Sequence, residues 1–310
     1  MKLERLRPGD AIGIICPASS IAADNPRIPV MEKYLSGLGL KIKYGKNLFA
    51  TYGYLAGTDE QRAADLEAMY LDDDVKVILC MKGGYGCSRM VNLLDFQKIA
   101  KHPKLLIGFS DITVLLNAIH QKTDFPTIHG DVGIWLGNPR IDAASLADFE
   151  ALLFQNQLGR VLKNPRDDAK MLRGGSAEGK LIGGNLSLIA TLAGTEFDLD
   201  FTDKIVFIED VGEAPYRIDR YLSNLRLAGK LKKAKGFVLG YFTDCASKEA
   251  GSWEIPDLLK QYFGNLSVPV ITDFASGHDF PFINLPIGVS VKMDADARTI
   301  TILEEIYETH

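Results

Sequence analysis

The sequence predicts an α/β fold with a parallel sheet in its N-terminal half, followed by a second domain. In the first half, short apolar runs alternate with helical patterns, which is typical of strand-helix-strand units. A length of 310 residues is enough for two domains, each with its own core. The chain closes with two alternating runs about a polar turn at 294–297, which indicates a β-hairpin.

Each element of the first half follows from a local pattern. Thr58 with Gln61 three residues later predicts a capping box at the start of a helix. A further helix begins directly after Ser110. Apolar runs predict strands over 11–16, 75–81, 105–109 and 127–129, and helical patterns predict helices over 28–40, 59–70 and 88–101.

The alternation of apolar runs and helical patterns becomes irregular in the middle of the chain, where a predicted helix is followed by a polar stretch. We therefore predict an N-terminal domain over 1–140, a linker region over 141–175 and a C-terminal domain over 176–310. The remaining predicted elements are strands over 204–208, 236–241 and 268–272 and helices over 143–155, 185–192 and 217–228.

Composition and charge narrow the class of protein. Hydrophobic residues make up 46% of the chain and charged residues 24%, and the net charge of -5 does not favour nucleic acid as a partner. Because neither a signal peptide nor a bilayer-spanning segment is visible, we expect a cytoplasmic protein without a membrane partner. The four cysteines lack C-x-x-C spacing and nearby histidines, so we expect reduced thiols and no metal site.

Ser110 is a candidate nucleophile. It directly follows a predicted strand and precedes a helix, so its hydroxyl is displayed at the end of the sheet with the N–H of Asp111 on the same side. Serine is also among the best N-cap residues, and Asp111 suits the positive end of a helix dipole. Both interpretations of Ser110 are open at this point.

A serine nucleophile needs a base, usually a histidine held by a carboxylate. His278 lies in a loop of turn-forming residues just past a predicted strand and is favoured, while His129, after a short strand, remains possible. Glu209 and Asp210 follow an apolar strand at the edge where open parallel sheets place their active sites, although an acidic pair can also simply solvate a strand end.

A glycine loop offers backbone donors. Gly83, Gly84 and Gly86 directly follow the strand predicted over 75–81. Glycines there allow positive φ and a close approach to a ligand. A backbone N–H of this loop could therefore join that of Asp111 in an oxyanion hole.

Seven short motifs run in order across nearly the whole chain. They are Gly-Gly-Tyr-Gly at 83–86, Gly-Phe-Ser-Asp-Ile-Thr at 108–113, His-Gly at 129–130, Gly-Gly-Asn-Leu-Ser at 183–187, Ile-Glu-Asp-Val-Gly-Glu-Ala-Pro-Tyr-Arg-Ile-Asp-Arg at 208–220, Gly-His at 277–278 and Leu-Pro-Ile-Gly at 285–288. Together they resemble the LD-carboxypeptidase family of serine peptidases, which also contains the microcin C self-immunity peptidases. Lys82 and Asp131 depart from the family pattern, in which arginine and proline are common at these positions.

The resemblance implies a role for each candidate residue. Ser110 is the nucleophile, His278 the general base and Glu209 the acid that orients it, while the backbone N–H groups of Gly84 and Asp111 are the oxyanion donors. It also implies a flavodoxin- or amidotransferase-like N-terminal α/β domain with a parallel sheet, a smaller C-terminal domain rich in β-structure, a catalytic cleft between them and a homodimer.

The activity that the resemblance implies is removal of the terminal D-alanine from murein tetrapeptides during peptidoglycan recycling, without a metal or organic cofactor. The alternative within the family is an immunity-type peptidase that cleaves a peptidyl-nucleotide antibiotic such as microcin C. Two further alternatives are a periplasmic-type binding protein, which would require an export signal, and an amidotransferase-like enzyme with Cys87 as its nucleophile.

Overall fold

The computed structural model describes residues 3–308, so residues 1, 2, 309 and 310, at the outer ends of the two predicted domains, lie outside the described residues. The strands are β1 (Ala11–Ile15), β2 (Lys41–Tyr44), β3 (Val75–Cys80), β4 (Leu105–Gly108), β5 (Thr127–His129), β6 (Val161–Lys163), β7 (Lys170–Arg173), β8 (Ser176–Asn185), β9 (Ile205–Val211), β10 (Gly236–Thr243), β11 (Val270–Thr272), β12 (Leu285–Ile287), β13 (Ser290–Asp294) and β14 (Thr299–Ile302). The helices are α1 (Arg27–Gly37), α2 (Asp59–Leu71), α3 (Cys87–Met90), α4 (Phe96–Ile99), α5 (Thr113–Thr123), α6 (Gly133–Leu136), α7 (Ala143–Phe154), α8 (Leu186–Leu192), α9 (Pro215–Leu227) and α10 (Ile255–Phe263).

The chain forms two compact units. The first contains the residues up to Gln157, the segment Asn284–Gly288 and the described residues from Glu305 on, and the second contains Leu158–Ile283 and Val289–Glu304. Compact units need not coincide with domains, which are defined by their ability to fold alone. The domain boundaries at 140 and 175 therefore stay a prediction.

The first unit is built on a sheet with the strand order β12-β5-β4-β3-β1-β2 within residues 3–308. β1 to β5 are parallel, and β12 runs antiparallel to β5. β1, β3, β4 and β5 are buried almost throughout, as expected for apolar runs at the centre of a parallel sheet. The loops after these strands leave the sheet at one edge, where open α/β sheets hold their active sites.

The second unit contains a mixed sheet with the order β6-β14-β13-β8-β9-β10-β11-β7 in the described part of the chain. β8 to β11 are parallel, and the outer strands are antiparallel to their neighbours. β13 and β14 form the predicted hairpin. The predicted combination of a parallel α/β region with a second, β-rich region is confirmed.

Two helical regions illustrate where the sequence analysis succeeded and where it failed. Thr58 and Gln61 form the predicted capping box at the start of α2. The single helix predicted over 88–101 is wrong, because the chain forms α3, a 3-10 turn over Val91–Leu93 and then α4. Asp95 causes the break, since its side chain accepts a hydrogen bond from the N–H of Lys98 and so starts a new helix.

No helix within residues 3–308 is long and apolar enough to cross a membrane.

Candidate active site

Ser110 lies on a sharp turn between β4 and α5. Gly108 ends the strand, Phe109 is extended with φ -151°, and Ser110 has φ +64° where the 3-10 turn Ser110–Ile112 begins. A left-handed conformation costs a residue with a Cβ about 1–3 kcal/mol, and such strain is concentrated at functional sites. This geometry resembles the turn on which hydrolases display a nucleophilic serine.

The hydroxyl of Ser110 does not cap the helix that follows it. The N-cap residue is Phe109 for the 3-10 turn and Ile112 for α5, so Ser110 occupies neither cap position, and neither cap side chain forms a capping hydrogen bond within residues 3–308. The N-cap interpretation of Ser110 is therefore wrong, and the half-buried side chain is not engaged in stabilising its own helix.

The glycine loop at 83–86 lies against this turn. A Cβ placed on Gly83 would be 2.9 Å from Cβ and 3.1 Å from Oγ of Ser110, so the approach requires glycine. Gly84 has φ +116°, and within residues 3–308 its N–H donates no hydrogen bond. The N–H of Asp111 is in the first turn of a helix, where N–H groups lack an intrahelical acceptor. Both expected oxyanion donors thus belong to segments that flank Ser110.

The carboxylate of Asp111 forms a hydrogen bond to the end of the glycine loop. It is buried and accepts a hydrogen bond from the N–H of Cys87 at 2.8 Å. Burial raises the pKa of Asp111, although hydrogen bonds from Cys87 and Gly86 and the charge of Arg62 act in the opposite direction. The carboxylate of Asp111 therefore links the turn at Ser110 to the end of the glycine loop.

His278 and Glu209 form a hydrogen-bonded pair in the second unit. Nδ1 of His278 lies 2.7 Å from Oε2 of Glu209. The carboxylate is completely buried, whereas the imidazole keeps 14% of its surface exposed. This is the arrangement in which an acid orients a histidine base.

The pKa of His278 is raised above its ordinary value of 6.5 by its neighbours. Burial alone would lower this pKa, because it disfavours the imidazolium. The charge and hydrogen bond of Glu209, together with the charge of Asp210, outweigh burial. Glu209 therefore both orients the imidazole and stabilises its protonated form.

Asp210 faces a different set of partners. Its carboxylate accepts hydrogen bonds from Nδ2 of Asn185 at 3.0 Å and from the N–H groups of Ser187 and Val211 at 3.0 and 2.8 Å. Nδ2 of Asn185 also lies 3.3 Å from Oε1 of Glu209. Burial and the neighbouring Glu209 charge raise the pKa of Asp210 to about 7. The sequence analysis did not identify Asn185 as the residue that connects Glu209 and Asp210. The signal that could have indicated it is the position of Asn185 between a strand and a helix.

Two other candidates lie in the core of the first unit. His129 is completely buried and packs edge-on against Phe109, with ring centroids 5.8 Å apart. Cys87 is completely buried as well, and burial raises the pKa of its thiol well above the ordinary value. Reactive cysteines instead have a lowered pKa and partial exposure, so Cys87 lacks the properties of a nucleophile.

Asp131 departs from the family pattern at a fully buried position. Its N–H donates to Oδ1 of Asn284 at 3.0 Å, and Nδ2 of Asn284 donates to Asp131 at 3.4 Å and to Asp148 at 2.9 Å. Burial, followed by the charge of Asp148, raises the pKa of Asp131 well above its ordinary value. The folded surroundings of Asp131 therefore favour its neutral form.

The expected site residues are divided between the two units. Gly84, Ser110 and Asp111 belong to the first unit, and Glu209 and His278 to the second. Their catalytic roles stay predictions. Among residues 3–308, no group of three or more His, Cys, Asp or Glu side chains is arranged to hold a metal ion.

A strained serine beside a glycine loop, and a buried carboxylate that orients a histidine, are the parts from which serine hydrolases are built. The chain belongs to the LD-carboxypeptidase family. The model of the LD-carboxypeptidase N-terminal domain matches residues 12–130, and that of the C-terminal domain matches residues 178–293.

Individual relatives agree with this assignment. A probable murein peptide carboxypeptidase of Bacillus subtilis is 38% identical over 303 residues, which cover 97% of this chain and 94% of the relative. The solved structure of MccF in complex with glutamyl sulfamoyl guanosine is similar with a TM-score of 0.91, at 26% identity over 99% of both chains. The crystal structure of muramoyltetrapeptide carboxypeptidase from Oxalobacter formigenes gives a TM-score of 0.84, at 29% identity over 96% of this chain and 100% of that one.

Proposed function

We propose that this protein is a serine carboxypeptidase that removes the terminal D-alanine from murein tetrapeptides. The observation that carries the proposal is the pair of His278 and Glu209, because a buried carboxylate 2.7 Å from an imidazole provides an oriented base. The strained turn at Ser110 and the similarity to murein peptide carboxypeptidases support the same conclusion.

In the acylation step, Oγ of Ser110 attacks the carbonyl carbon of the scissile bond while Nε2 of His278 accepts the hydroxyl proton. The carbonyl oxygen becomes an oxyanion, which accepts hydrogen bonds from the N–H groups of Gly84 and Asp111. His278 then gives its proton to the departing nitrogen, so the C–N bond breaks and D-alanine leaves as an amine. The proposal requires Ser110 and His278 to meet in the catalytic state.

In the deacylation step, His278 takes a proton from a water molecule that attacks the acyl-enzyme. The same two N–H groups stabilise the second oxyanion. Collapse of this intermediate returns the proton to Ser110 and releases the tripeptide. Glu209 stays ionised throughout and stabilises the imidazolium that forms in each step.

A second candidate function is cleavage of a peptidyl nucleotide, and the similarity to MccF favours it. The same Ser110, His278 and Glu209 would serve, because the catalytic groups determine the bond chemistry and the pocket determines the substrate. Removal of D-alanine from murein tetrapeptides is the preferred function, because the Bacillus subtilis relative is more similar in sequence to this chain than MccF is.

The two functions are separated by their products. The protein and its Ser110→Ala variant are incubated with murein tetrapeptide, murein pentapeptide and a peptidyl adenylate, and the products are identified by mass. We expect conversion of tetrapeptide to tripeptide by the wild type only, with the pentapeptide nearly inert, because a site that binds a free carboxylate rejects an extended chain. Cleavage of the adenylate alone would instead establish the second function.

The homodimer and the cytoplasmic location stay predictions, and gel filtration checks the first of them.

A further inference from the structure

The peptide groups on either side of Gly84 determine where its N–H points. A peptide bond is planar and trans, so the N–H of Gly84 is directed opposite to the carbonyl of Gly83 in the same peptide group. Gly84 itself has φ +116° and no side chain to anchor it. The direction of this N–H must therefore be set by groups that hold the neighbouring atoms.

Ser19, in the loop after β1, holds both of these peptide groups. Its N–H donates to the carbonyl of Gly83 at 3.4 Å, on the peptide group that carries the Gly84 N–H. Its Oγ accepts a hydrogen bond from the N–H of Tyr85 at 3.1 Å, on the peptide group that follows Gly84. The side chain also fills the space over Gly84, because a Cβ there would collide with Oγ of Ser19.

Ser19 is itself anchored to the core of the first unit. The thiol of Cys16 donates to the carbonyl of Ser19 at 3.1 Å. The preceding carbonyl, that of Ala18, accepts a hydrogen bond from the N–H of Ala56 at 3.0 Å. A residue fixed in this way can transmit its position to the loop that it contacts.

We propose that Ser19 is a positioning residue, which aims the N–H of Gly84 at the oxyanion. The inference rests on the proposed function, in which this N–H is one of the two oxyanion donors. Ser19 acts through the backbone of the glycine loop, so its contribution appears only where negative charge develops on the substrate carbonyl.

The neighbouring residue Ser20 provides a matched control. Its contacts in the described residues are made by backbone atoms: its N–H donates to the carbonyl of Tyr54 at 3.0 Å, and its carbonyl accepts from Nζ of Lys82 at 3.2 Å. Ser20→Ala removes a hydroxyl of the same size, one residue away, and leaves both of these contacts in place.

The test compares Ser19→Ala, Ser19→Thr and Ser20→Ala with the wild type on murein tetrapeptide, at a temperature where all four are folded by circular dichroism. Removing a whole oxyanion donor costs about 100-fold or more in kcat, and for a misaligned donor we expect a loss of about 10-fold in Ser19→Ala with KM unchanged. Ser19→Thr keeps the hydroxyl and is expected to recover most of the kcat, and Ser20→Ala to retain all of it.

Three results would overturn the inference: a kcat for Ser19→Ala within twofold of the wild type, an equal loss in Ser20→Ala, or a rise in KM without a fall in kcat. The Ser110→Ala variant separates this question from the proposed function. If Ser110→Ala is inactive while Ser19→Ala is fully active, only the role of Ser19 is refuted. If Ser110→Ala remains active, the serine mechanism fails, whatever Ser19 does.

Discussion

The backbone N–H of Cys87 donates a hydrogen bond of 2.8 Å to the buried carboxylate of Asp111. This contact joins the end of the glycine loop to the residue that follows Ser110. The two segments that carry the expected oxyanion donors are therefore held in one arrangement before any substrate binds, and preorganised donors of this kind cost no reorganisation during the reaction.

Ser110 should be essential for activity although its backbone is strained. We expect Ser110→Ala and Ser110→Gly both to abolish turnover of murein tetrapeptide. Ser110→Gly should also be more stable than Ser110→Ala by about 1 kcal/mol, because glycine adopts φ +64° without the cost that a Cβ imposes. Urea unfolding of the two variants measures this difference. Equal stability would show that the turn is not strained, and a tenth of the wild-type kcat in either variant would exclude Ser110 as the nucleophile.

Glu209 and Asp210 should differ sharply in their importance. Glu209→Gln removes the charge that orients His278, so we expect a loss in kcat of about 1000-fold or more. Asp210→Asn should cost less than about 10-fold, since Asp210 contacts Asn185 and backbone N–H groups instead of the imidazole. Steady-state kinetics at one pH gives both values. Similar losses in the two variants would mean that the wrong carboxylate has been assigned.

The pH dependence of kcat/KM should report the ionisation of His278. The base must be neutral, so activity is present above its pKa and is lost as the pH falls through it. Because the pKa of His278 is raised, we expect the midpoint above 6.5. In Asp210→Asn the midpoint should move to lower pH, since one of the charges that favour the imidazolium is removed. A profile that is flat between pH 5 and 9 contradicts the assignment of His278.

Asp131 should make the protein less stable as the pH rises. The pKa of Asp131 is raised in the folded protein, so the unfolded chain releases this proton at a lower pH than the folded one. The free energy of unfolding therefore falls as the pH increases from about 4 towards the folded-state pKa. At pH 8 we expect Asp131→Asn to be more stable than the wild type, with a smaller pH dependence. Chemical denaturation at pH 5 and 8 tests this, and the exposed Asp24→Asn serves as the control.

The buried strands of the first sheet could be predicted from the sequence, whereas strands at sheet edges could not. β1, β3 and β4 are largely apolar runs and β5 is a short buried strand, and the predicted bounds of all four agree with the structure to within one residue. The prediction missed β2 and β12, which lie at the two edges of this sheet; β2 is largely polar and β12 contains Pro286. In the second unit it missed β8, whose first half is polar and whose second half is rich in glycine.

Local sequence could indicate the turn at Ser110 and the acidic pair at the end of β9, but not the choice between the two acids. That choice depends on which side chain faces His278, a residue far along the chain, and only the resemblance to the family indicated Glu209. Ser19 was not identified at all, because its role depends on two peptide groups more than sixty residues away, and nothing in the sequence around Ser19 indicates that its N–H and hydroxyl meet them.

A ribosome makes β1 to β5 long before it makes β12, the strand that completes the same sheet beside β5. At translation speeds of about 5–20 residues per second, the chain between these strands takes roughly 8 to 30 seconds to synthesise. During that time β5 is an uncovered sheet edge, which can pair with another nascent chain. The first unit is therefore completed late, and translation pauses within the second unit would prolong the period in which the growing chain is open to aggregation.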